Sequence, residues 1–123
     1  MPNTVAIIDD NTELARAYQK RLKLDGLDVL VFSHATSAID YMRTLPVDMV
    51  VTEYQLPDIA AAELIDIIQT DLGLAQLPVV VFTNQDSYAT KQAINGFSNC
   101  ELVIKKAISA TAFSKKIQDL IAK

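Results

Sequence analysis

Apolar residues fall along this chain in two alternating rhythms. Short runs rich in β-branched residues occur at 4–8, 28–32, 48–52, 78–83 and 101–104. Between them lie longer stretches in which apolar positions recur every three or four residues, as on one face of a helix. The runs at 5–8, 49–51 and 79–82 are continuously apolar, which suits strands covered by helices on both faces. Leu14, Ala17, Tyr18 and Leu22 make the first helical stripe, with Asn11 or Thr12 to cap it and Gly26 to end it. Ala38, Ile39 and Met42 make the second, which stops before Pro46. Leu64, Ile65, Ile68 and Leu72 make the third, up to Gly73. Ala89, Ala93, Ile94 and Phe97 form the fourth, and Phe113, Ile117, Leu120 and Ile121 the fifth. Stripes of this kind are core faces rather than cofactor boxes.

Strand and helix therefore alternate five times, with no linker, repeat or low-complexity tract between them. The pattern predicts one α/β domain over 1–123, a (βα)5 flavodoxin-like doubly wound five-stranded parallel sheet of order 2-1-3-4-5. Ligands in such sheets bind beyond the carboxyl ends of the strands, where the strand order switches between strands 1 and 3. Asp9-Asp10 ends the first run and Glu53 the third, so three carboxylates are expected at that point. Thr83 ends the fourth run and Lys105 the fifth.

Composition narrows the function classes. Half of the residues are hydrophobic and 21% are charged, which is globular rather than disordered composition. A net charge of −4 argues against a nucleic-acid groove, and no apolar run approaches the roughly 20 residues of a membrane span. Met-Pro-Asn-Thr leads straight into the first strand, so no secretory signal is visible, and Cys100, the only cysteine, cannot form an internal disulfide. A cytoplasmic location is expected. Cys100, between Asn99 and Glu101, has no cation to stabilise a thiolate and reads as a packing residue. His34, the only histidine, lies in a Ser-His-Ala-Thr-Ser loop and reads as a surface or capping residue.

Three carboxylates within about 5 Å repel by roughly 3 kcal/mol per pair at an effective dielectric near 20, so either a cation neutralises them or a carboxyl stays protonated. Lys105 is one candidate. A hard divalent ion such as Mg²⁺ or Mn²⁺ is the other. The blander reading of Asp9 and Asp10, as caps of the first helix, is weakened because Asn11 and Thr12 already supply that. Strand alternation turns only one of Lys105 and Lys106 toward the site, and turns Thr52 away from the direction of Glu53.

Acid pair, acid, hydroxyl and amine at four strand ends, with Leu56-Pro57-Asp58 after the third, resemble the phosphorylation site of bacterial response-regulator receiver domains, the CheY-like superfamily. The resemblance runs from Val5 to the last helix. It implies that Asp9 and Asp10 are the metal-binding pair, Asp10 being the direct ligand, and that Gln55 offers the metal-binding carbonyl. It implies too that Glu53 holds the phosphoacceptor position, that Thr83 is the switch hydroxyl, and that Lys105 pairs with phosphoryl oxygens.

The departures are as informative. The family's acceptor is Asp, and here it is Glu53. Ala61 stands where the family has Gly, and Asn84 fills a small-residue position, which would narrow entry to the site. Lys106 replaces a Pro that commonly follows a cis bond, so a cis bond is not expected. Leu102 stands where many members carry the Tyr or Phe that rotates inward on phosphorylation.

The expectation is an atypical receiver of two-component phosphorelay signalling. It is expected to be no enzyme and to act as a protein-interaction module that Asp phosphorylation does not switch. Its interaction face would be helix 4, strand 5 and helix 5, with Gln92, Asn95, Leu102, Lys106 and Lys115. A histidine kinase or an output protein is the expected partner, with no direct contact to nucleic acid or membrane. No cofactor is required, Mg²⁺ remains admissible, and the oligomeric state stays open. The alternative is a competent receiver that is phosphorylated on Glu53 with Mg²⁺. A small phosphatase is disfavoured, because Asp10-Asn11 breaks the Asp-x-Asp spacing it would need.

Overall fold

The structure is a computed structural model and describes residues 2–123. In chain order the elements are β1 (Thr4–Ile8), α1 (Thr12–Leu24), β2 (Asp28–Phe32), α2 (Ala35–Thr44) and β3 (Met49–Thr52). There follow α3 (Ala61–Asp66), prolonged by a π-helical turn at Ile67–Asp71, then β4 (Val79–Thr83), α4 (Tyr88–Asn95) and β5 (Cys100–Ile104). A 3-10 turn, Lys105–Ala107, leads into α5 (Ala110–Ala122). All strand pairs are parallel and the order is β2-β1-β3-β4-β5. The expected architecture is the one found.

Strand ends shift by one residue, each for a local reason. β3 starts at Met49 because Asp48 is spent on the loop: its carboxylate accepts from Thr4 N–H at 2.7 Å and its own N–H donates to Thr4 C=O at 2.8 Å. β4 starts at Val79 because Pro78 has no N–H to give the ladder, although its carbonyl still accepts from Val50 at 3.0 Å. Cys100 joins β5 opposite Val79.

Alternation along the strands sorts the core into two layers. Ala6, Ile8, Val50, Val79 and Val81 pack with α2, α3 and Ile94 of α4 on one face. Val5, Ile7, Met49, Val51, Val80, Phe82 and Val103 pack with α1 and α5 on the other. The sheet is buried on both sides, which explains the unbroken apolar runs.

Two alanines depart from the sequence reading. Ala17 and Ala89, placed in inward stripes, are exposed; the buried positions of α1 are Ala15 and Leu22, and those of α4 are Thr90 and Ile94. An alanine carries little hydropathic information about its face, and Thr90 can go inside because its hydroxyl pairs with Ser87 Oγ at 3.1 Å. The third helix was expected as one regular stretch to Gly73. It instead widens into the π turn, and Gly73 then reverses the chain at φ 66°.

Candidate functional site

The parallel register delivers the carboxylates side by side. Ile8 pairs with Thr52, so the next residues, Asp9 and Glu53, leave adjacent strand ends together. Asp9 N–H donates to Phe32 C=O and Glu53 N–H to Ile8 C=O, each at 2.9 Å, which carries the ladder one step into the site. Val51, Ile7 and Val103 face the α1 and α5 layer, and by the same alternation Asp9, Glu53 and Lys105 emerge on that face.

There they meet. Lys105 Nζ lies 2.7 Å from Asp9 Oδ2 and 3.3 Å from Glu53 Oε1. The Lys105 and Asp9 side chains are both 8% exposed, and that of Glu53 is 19% exposed. The remaining carboxylate oxygens are also engaged. Asp9 Oδ1 accepts from Asn11 N–H at 2.9 Å, and Glu53 Oε2 folds back onto the N–H of Tyr54. Burial would lower the pKa of Lys105, but the hydrogen bond and charge of Asp9, joined by Glu53, outweigh it and hold the pKa above the ordinary lysine value. The ammonium therefore keeps its positive charge between two carboxylates through the ordinary lysine range.

Aromatic rings form the floor. Lys105 Nζ stands 5.6 Å from the centroid of the Phe82 ring, which stacks on Phe113 at 4.2 Å and meets the edge of Tyr18 at 5.0 Å. Beneath Asp9 and Glu53 only about 10 Å³ is open, bounded in part by Tyr18, Phe82 and Phe113. That space holds at most one water, so no organic substrate fits under the ion pair.

The other residues expected at the site have different places. Asp10 is exposed, and among the described residues no group of three His, Cys, Asp or Glu side chains is arranged to hold a metal. The donors have the hard-oxygen chemistry Mg²⁺ prefers, but Lys105 Nζ already stands 2.7 Å from Asp9 Oδ2, so an ion held by that oxygen would have to displace it. Thr83 is fully buried, and its Oγ1 accepts from Gln85 N–H at 3.1 Å in the β4–α4 loop. Thr52 is buried too, its hydroxyl donating to Glu53 C=O at 3.0 Å. Gln55 forms an isolated bridge to Ala60, while its Oε1 accepts from Gln85 Nε2 at 3.1 Å. Asn84 is exposed, and its Oδ1 accepts from Lys106 N–H at 2.8 Å. It links two loops, a role beyond the narrowing expected of it. All peptide bonds among the described residues are trans, including the one before Lys106.

On the expected interaction face, Gln92, Asn95, Lys106 and Lys115 are exposed and Leu102 is half-buried. A groove of about 440 Å³ between α4 and β5 is lined by Lys91, Ile94, Asn95, Cys100, Glu101 and Leu102. Burial and the neighbouring Glu101 push the Cys100 thiol up to about 12, so it is inert. His34 is the N-cap residue of α2, its ring paired with Ser33 Oγ at 2.9 Å.

A feature not expected from the sequence is Asp58. From the β3–α3 loop it reaches the start of α2, where Oδ1 accepts from Ala35 N–H at 3.1 Å and Oδ2 from Thr36 N–H at 2.9 Å. No local motif announces a cap that comes from 23 residues away.

A family model described as the response regulator receiver domain matches residues 5–118. The polar-differentiation response regulator DivK of Brucella anthropi is 24% identical over 121 residues, 98% of each chain. The protein of the same name from Brucella ovis is 23% identical with the same coverage. Among solved structures, the chemotaxis response regulator CheY4 of Vibrio cholerae superposes with a TM-score of 0.87 at 15% identity, over 98% of this chain and 99% of that one. A putative response regulator from Chloroflexus aurantiacus gives a TM-score of 0.84 at 21% identity, over the whole of both chains. At such identities the structural likeness shows a shared fold.

Proposed function

Since the chain belongs to the response regulator receiver domain family of two-component signalling, we propose that it is an atypical member, held in one state by its own side chains. It acts as a non-enzymatic protein-interaction module rather than a phosphorylation-timed switch. The observation that carries this reading is the Lys105 ammonium between Asp9 and Glu53, with the second oxygen of Glu53 bound to Tyr54 N–H.

Phosphoryl transfer to a carboxylate needs a free oxygen in line with the phosphorus and the leaving oxygen. Both oxygens of Glu53 carry a donor. Glutamate also extends about 1.5 Å beyond aspartate, and a misplacement of that size costs roughly 100-fold. Lys105 supplies a positive charge to both acids it touches, and in this reading the state holds without Mg²⁺.

The proposed output is the face of α4, β5 and α5, where the half-buried Leu102 and the groove beside it give a signalling partner an apolar centre with a polar rim. The partner class is a histidine kinase or an output protein, met at a cytoplasmic location.

Incubation with acetyl phosphate and Mg²⁺, followed by intact mass measurement, is expected to show no gain of one phosphoryl group. A clear gain that Glu53→Gln abolishes would overturn the reading in favour of a competent receiver.

A further inference from the structure

α4 is short and shallowly rooted. It has eight residues, and its two buried side chains are Thr90 and Ile94, one of them polar. A helix of that length has little stability of its own, so its placement depends on what holds it. Two side-chain amides hold each end.

At the end near the site, Gln85 Nε2 donates to Gln55 Oε1 at 3.1 Å, which ties the residues leading into α4 to the loop that carries Glu53. One residue earlier, Asn84 Oδ1 accepts from Lys106 N–H at 2.8 Å, which ties the same segment to the turn that carries Lys105. At the far end, Gln69 Nε2 reaches from the π turn after α3 to Ser98 C=O at 2.8 Å. Next to it, Asn99 Nδ2 donates to Ala75 C=O at 2.9 Å. Asn99 adopts φ 55°, a left-handed conformation that Asn tolerates better than most residues.

We propose that these four amide contacts form a latch that fixes α4 in place from both ends, with Asn84 and Gln69 as its positioning residues. All four bonds are neutral, so neither pH near neutrality nor salt releases them. The near pair also joins α4 to the two loops that supply the Glu53–Lys105 contact. Movement of α4 thus requires breaking bonds at both of its ends as well as unpacking Ile94.

The inference rests on the fixed-state reading above, and hydrogen–deuterium exchange can test it separately. The amides to follow are those of residues 90–95, with α5 as the internal reference, in the wild type, Asn84→Ala, Gln69→Ala and the double variant. A net contribution of the usual size makes each single substitution raise α4 exchange about five-fold and the pair about 25-fold, with α5 unchanged. Exchange of α4 at the wild-type rate in the double variant overturns the latch. So does an equal rise in α4 and α5, which would report loss of global stability. If acetyl phosphate modifies Glu53 while the variants loosen α4, the fixed-state reading fails and the latch stands. If Glu53 stays unmodified and α4 is indifferent, the latch fails and the reading stands.

Discussion

A lysine that is 8% exposed, with two carboxylates as its polar contacts, is held by charge rather than by packing alone. Removing one partner of such a pair leaves the others buried without compensation, and the usual cost is about 3 kcal/mol. Lys105→Met, which keeps most of the side-chain volume, is expected to lose about that much in urea unfolding at pH 7. The pH dependence has a definite sign. The folded pKa of Lys105 lies above the unfolded value of 10.5, so its contribution is complete below that value and is lost as pH rises through the folded one. Wild-type stability should fall above about pH 10.5, and this share of the fall should be missing in Lys105→Met. An alkaline limb of equal size in both proteins would assign it to other groups. Asp9, Glu53 and Lys105 were legible in the sequence because each ends an apolar run; alternation allowed only one of Lys105 and Lys106 to face the site, and the family resemblance selected Lys105. What could not be read is where each carboxylate oxygen points. Glu53 turning back onto Tyr54, and Asp10 facing solvent, depend on backbone directions that no spacing encodes.

Between elements, the site is framed by contacts that join distant segments. Asp58 caps α2 from the β3–α3 loop, so the loop after Glu53 is tied to the start of α2. Desolvation is the largest single influence on the Asp58 pKa and raises it, but the Thr36 and Ala35 N–H groups, with the Thr36 side chain, together outweigh it and bring the pKa down to about 2. Because the carboxyl is largely exposed, its stabilisation is discounted for solvent to about 1 kcal/mol, in line with an ordinary N-cap. That contribution is present above the unfolded value of 3.8 and is lost as pH falls toward about 2. Asp58→Ala should therefore lower stability by about 1 kcal/mol at pH 7, and the gap between variant and wild type should close between about pH 4 and pH 2. A gap that persists at pH 2 would mean the loss comes from packing. The helices and strands themselves were readable, since hydropathic period reports which face is buried. Caps and straps such as Asp58, Gln55–Gln85 and Asn84–Lys106 were not, because they pair residues 22 to 30 apart whose identities suit any polar loop. The π turn was equally hidden, for Leu64, Ile65, Ile68 and Leu72 fit a regular helix as well as a widened one.

For the whole molecule, the two core layers meet at one sheet, and at its carboxyl edge the Lys105 ammonium offsets one of the negative charges of Asp9 and Glu53, with Asp10 exposed beside them. Among the described residues no buried side-chain nitrogen or oxygen lacks a hydrogen-bond partner, so a cation entering at that edge would have to compete with Lys105 for Asp9. This makes metal linkage a test of the entire assembly. A ligand that binds only the native state adds RT ln(1 + [L]/Kd) to the unfolding free energy, which is about 1.4 kcal/mol when the ligand is at ten times its Kd. The unfolding free energy in urea is expected to be the same, within about 0.3 kcal/mol, in EDTA and in millimolar Mg²⁺ at about ten times a submillimolar Kd, with ionic strength matched. A rise of about 1 kcal/mol or more that Asp10→Ala removes would show that Mg²⁺ displaces the Lys105 ammonium from Asp9. In that case Glu53 would also be released from Lys105, and the acetyl phosphate experiment would have to be read again at saturating Mg²⁺. Asp10 is the variant that isolates the effect, because it is exposed and makes no contact with Lys105, so its loss leaves the ion pair and the fold as they are.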